Sequence, residues 1–60
     1  MFKPAEAATP GEVMRVNGNP YPITAVRASF DAVWIDIDTG LLDLPVRFDY
    51  GHTIDVDAAA

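Results

Sequence analysis

The chain has sixty residues, nine carboxylates against four basic side chains, a formal net charge of -5 and no cysteine. A chain of this length makes one domain at most and buries only about 60% of the surface it exposes when unfolded, so its core must be thin. Lack of cysteine excludes disulfides, thiolate catalysis and cysteine-ligated metal centres, and the acidic balance argues against a phosphate-binding surface.

Met1 to Pro10 carries two prolines, small residues and no apolar period, which predicts a flexible arm over 1–10 unless Phe2 docks. The chain then shows short apolar runs at period two, separated by turn residues, the pattern of β-strands. In Glu12 to Val16, Met14 and Val16 share a face, and in Tyr21 to Val26, Tyr21, Ile23 and Ala25 share one. A four-residue loop, Asn17-Gly18-Asn19-Pro20, would pair Val16 with Tyr21 and Met14 with Ile23; a tighter turn at Asn17-Gly18 would pair Val16 with Asn19. Matching the apolar faces favours the longer loop.

Ala32 to Phe48 reads as a hairpin turning at Thr39-Gly40, with Ile37 opposite Leu42, Ile35 opposite Leu44 and Val33 opposite Val46 on one face. Trp34, Asp36, Asp38, Asp43, Pro45, Arg47 and Asp49 fall on the other. Pro45 cannot donate a ladder hydrogen bond, so its strand belongs at an edge or carries a bulge. Ile54 and Val56, alternating with Asp55 and Asp57, give a fifth strand before a flexible tail over 57–60.

The expected fold is therefore all-β, one domain over 1–60: an antiparallel five-stranded sheet that curls to bury its apolar face. The short strands joined by NG- and TG-type turns are similar to those of SH3-like barrels, a likeness of spacing rather than of any diagnostic motif. Gly11-Glu12 followed by alternating strands to Val46 resembles the carbon-storage regulator family, dimeric β-proteins that bind RNA. Lys3, Arg15, Arg27 and Arg47 are too scattered for the basic stripe that such a role needs.

Several motifs invite chemistry. Asp38-Thr39-Gly40 resembles the aspartic-protease motif, but it occurs once and is ordinary turn chemistry, since Gly40 supplies a positive φ. Asp36, Asp38 and Gly40 match part of a calcium loop, with too few oxygens for that ion. His52 and Ser29 are the only histidine and serine, and nothing in the spacing brings them to an acid. No catalytic residue, metal site or cofactor is expected, and the chain is read as non-enzymatic.

The outer hairpin face is what folding leaves unexplained. In the expected register Asp36 lies opposite Asp43, a like-charge clash, and Trp34 lies diagonal to Arg47, within reach of a cation-π contact. An accessory protein that binds a protein partner with a basic surface through Trp34, Asp36, Asp38, Asp43 and Arg47 accounts for that face. Two alternatives are a subunit of a homo-oligomer or larger assembly, using the edge strand and Trp34, and an acidic inhibitor imitating nucleic acid. Neither direct nucleic-acid binding nor a membrane segment is expected, and with no signal-like start the expected location is cytoplasmic. Abundant alanine and aspartate, with arginine over lysine, lean toward a GC-rich bacterial or phage source.

Overall fold

A computed structural model of the chain describes residues 1–58. The molecule is all-β: β1 (Phe2–Pro4), β2 (Val13–Val16), β3 (Asn19–Ala28), β4 (Val33–Asp38), β5 (Asp43–Phe48) and β6 (Thr53–Asp57), with one 3-10 turn at Ala5–Ala7. All pairings are antiparallel, in one sheet of order β1-β6-β2-β3-β4-β5. Among the described residues six strands stand where five were expected. The sheet is also open, not closed into a barrel, with β1 and β5 as its edges.

The apolar face is buried by curling. Met14, Ile54 and Val56 from one half of the sheet share a cluster with Ile23, Val33, Ile35 and Ile37 from the other. Ala5 and Ala8 complete it from the segment expected to be a flexible arm. That segment is structured because β1 pairs with β6, the Ala5 amide donates to His52 O at 2.8 Å, and the 3-10 turn packs against β4. Two buried methyl groups leave no trace in a hydrophobic period, which is why composition alone suggested a loose arm. Of the expected tail over 57–60, Asp57 closes β6 and residues 59–60 lie outside the described residues.

Two turns differ from expectation. β2 and β3 join through the tight turn at Asn17-Gly18, with Val16 opposite Asn19 and Met14 opposite Tyr21. Asn17 and Gly18 both have positive φ, 53° and 81°, the requirement of a type I′ turn. Turn chemistry therefore prevails over the matching of apolar faces, and Val16 is left exposed. The second hairpin turns at Gly40-Leu41, one residue beyond the expected Thr39-Gly40. Thr39 N–H donates to Leu42 O at 3.1 Å, and Gly40, at φ 90°, takes the first central position of the turn, a left-handed conformation that glycine adopts without strain. The Asp38 carboxylate accepts the Gly40 amide at 2.8 Å and the Thr39 hydroxyl donates to Leu42 O at 2.9 Å, which fix the turn at this step.

Moving the turn by one residue moves the register by two. Ile37 thus lies opposite Leu44, Ile35 opposite Val46 and Val33 opposite Phe48, so the inner face survives with new partners. Between β3 and β4 a bulge at Ile23/Ala25 has a different effect. It inserts Thr24, whose hydroxyl donates to Asp36 O at 3.2 Å, and exchanges the faces of the rest of β3. Ala25 consequently pairs with Asp36 rather than sharing the face of Tyr21 and Ile23, while Val26 pairs with Ile35.

Candidate partner-binding surface

Alternation along β4 buries Val33, Ile35 and Ile37 and turns Trp34, Asp36 and Asp38 to the opposite face. From β5, Asp43 and Arg47 join them, so all five residues expected on this surface do share it. Their pairing differs. Trp34 is directly opposite Arg47 rather than diagonal to it, and Arg27 of β3 flanks it on the other side. Trp34 is therefore a half-buried ring between two arginines.

Neither arginine carries free charge. Arg27 Nη2 donates to Asp36 Oδ1 at 2.8 Å, and Arg47 Nη1 donates to Asp49 Oδ1 at 3.0 Å. Asp36 lies opposite Pro45, not opposite Asp43, because of the two-residue change in register. The like-charge opposition moves to the closed end of the hairpin, where Asp38 faces Asp43. This is a non-hydrogen-bonded pair, the kind whose side chains stand closer together.

Elsewhere the basic side chains are also taken. Lys3 Nζ lies 2.7 Å from Glu12, Arg15 Nε lies 2.6 Å from Asp57, and the terminal ammonium lies 3.1 Å from Asp55. Hydrogen bonds from the Lys3 ammonium, then from the Thr9 amide, hold the Glu12 carboxyl below its usual range. A hydrogen bond from the Arg15 guanidinium does the same for Asp57. Glu6 accepts the Gly51 amide at 2.9 Å and Asp31 accepts the Ser29 hydroxyl at 3.1 Å. Asp43 alone among the nine carboxylates has neither a hydrogen-bond donor nor an ion partner among the described residues.

Beside this acidic end the hairpin tip is apolar. Leu41 is 94% exposed, Leu42 59% and Leu44 44%. Sequence reasoning missed this feature because it paired Leu42 with Ile37; the observed register leaves Leu42 beyond the strands, while Leu44 takes its place opposite Ile37 on the inner face but stays partly open at the sheet edge. Glycine at the first central position was the available signal, since it puts Leu41 at the apex. The tip is stiffened by the Asp38 and Thr39 bonds, so the leucines are held out rather than folded onto the core.

Among the described residues no group of three or more histidine and carboxylate side chains could hold a metal ion, and no pocket is present. Among the described residues no helix is long and apolar enough to cross a membrane. Phe48 stacks near His52 with ring centroids 5.3 Å apart, and the Tyr50 hydroxyl donates to Ser29 O, ties that brace the turn after β5. No known protein family, curated protein or solved structure matches the chain.

Proposed function

We propose that the chain is a small non-enzymatic accessory protein that binds a protein partner through the tip and outer face of the β4–β5 hairpin. The observation that carries this reading is the coincidence, at one end of the hairpin, of Asp38 opposite Asp43 with Leu41 and Leu42 exposed on the turn and Leu44 exposed at the start of β5. Exposing a leucine forgoes roughly 1.5–3 kcal/mol of burial, and opposed carboxylates repel. A partner with an apolar cleft rimmed by lysine or arginine relieves both costs at once. Asp36 and Arg47, already paired within the sheet, frame Trp34 as a preformed flank; Asp38 and Asp43 supply the steering charge. We place this activity in the cytoplasm, and the amino-acid composition favours a bacterial or phage source.

Affinity capture tests the assignment. Wild-type chain, Asp43→Lys and Trp34→Ala would be compared as bait, each shown to be folded by its amide proton spectrum. A partner retained by wild type, lost with Asp43→Lys and weakened with Trp34→Ala is the expected result. Equal recovery by all three baits would remove the hairpin from the interface.

A further inference from the structure

The hydrogen-bond phase of the ladders shows which way each proline nitrogen points. Because Thr39 N–H donates to Leu42 O, Ile37/Leu44, Ile35/Val46 and Val33/Phe48 are hydrogen-bonded pairs, and Asp36/Pro45 is not. Pro45 N thus faces the open side of β5. In β1, the bonds Val56 N to Met1 O and Ala5 N to His52 O put Pro4 N on the open side of that edge. β3 runs past the end of β4, and there Ile23 N to Glu12 O sets the nitrogens of Pro20 and Pro22 away from β2. Pro4 and Pro45, on the two edges of the sheet, therefore stand where an added strand would need an amide.

At β5 the rest of the edge suits a second copy. The backbone groups on its open side belong to Asp43, Pro45 and Arg47. A two-fold axis through Pro45 would set Asp43 opposite Arg47 of the second copy, twice. It would also set Leu44 opposite Val46 of the second copy, twice, covering leucines that are now exposed. Charge and apolar pattern both match. Only the centre fails, where two proline rings meet and two ladder hydrogen bonds have no donor.

We propose that β5 is a latent homodimer edge, held shut in this chain by Pro45, so that the protein remains monomeric and the hairpin tip stays free. Pro45→Val returns the donor at an exposed position where no bond to β4 depends on it. Restoring two hydrogen bonds corresponds to an association constant raised about 10- to 100-fold.

Sedimentation equilibrium of the purified chain, from micromolar to millimolar concentration, tests this. Wild type should remain a monomer near 6.5 kDa. Pro45→Val should dimerise with concentration, and adding Asp43→Arg, which opposes arginine with arginine, should return it to monomer. Three results overturn the proposal: a wild-type dimer, a folded Pro45→Val chain that stays monomeric at millimolar concentration, or a Pro45→Val dimer indifferent to Asp43→Arg. Pro45→Thr gives a second route to the same donor. Loss of the fold in both variants would make Pro45 a structural residue and equally overturn the gate.

Discussion

Asp38 and Asp43 face each other as the last pair of strands β4 and β5, one step before the Thr39–Leu42 pair that closes the turn, and only Asp38 has a local hydrogen-bond partner, the Gly40 amide. One of the two charges is therefore part of the turn, and the other contributes repulsion and nothing to the fold.

Asp43→Asn should accordingly stabilise the protein by about 0.2–1 kcal/mol, the usual range for relieving a cross-strand like-charge pair. Urea denaturation should show a higher midpoint with an unchanged slope. The gain should shrink in high salt, since both groups are exposed. Asp38→Asn would be a poor substitute, because it also alters the bond to Gly40.

Gly40→Ala should destabilise by about 1–2 kcal/mol. No atom lies within 4 Å of where a Cβ would stand, so the cost is that of a left-handed φ alone. The same denaturation assay checks this, and an unchanged midpoint would mean that the turn sits elsewhere than at Gly40-Leu41.

Acid should unfold the protein partly through Glu12. Its folded carboxyl titrates below the unfolded value, so the stability it contributes is full above about pH 5 and falls as pH drops through the unfolded and then the folded pKa. Thermal melting of wild type against pH should therefore decline through that window. Glu12→Gln should melt lower near neutrality and show a flatter decline. Parallel curves would show that the Lys3 and Thr9 contacts do not favour the ionised form.

The amino-terminal segment should prove essential to the fold. Deleting residues 1–8 removes β1 and exposes the core beneath Ala5 and Ala8. A core of this size supplies only about 3–5 kcal/mol, so the truncated chain should lose its cooperative thermal transition. Ala5→Leu should cost about 1–3 kcal/mol by overpacking. Retention of the transition by the truncated chain would return 1–10 to the status of an arm.

Period-two alternation revealed the strands, the inner face of β4 and the outward set of Trp34, Asp36, Asp38, Asp43 and Arg47. Those features depend on parity, and a register change of two residues preserves parity. Partner identity does not survive such a change, so the Asp36–Asp43 opposition and the burial of Leu42 were misplaced together. The turn at Asn17-Gly18 was legible in its dipeptide, but the apolar pairing of Val16 with Tyr21 competed with it. The Thr24 bulge had no such signal. It is a backbone accommodation set by the fit of β3 to β4, and it alone moves Ala25 from the face of Ile23. Alanines 5 and 8 were hidden for another reason, because a small side chain marks a core position only once its neighbours are known.

A photo-crosslinking residue placed at Leu41 asks whether the hairpin tip is the contact surface. A discrete cross-linked partner should form, disappear when Asp43→Lys is added, and be absent when the same reagent is placed at Phe30, which is 97% exposed in the β3–β4 turn. A partner captured equally from Phe30, or one indifferent to Asp43→Lys, would contradict that role for the tip.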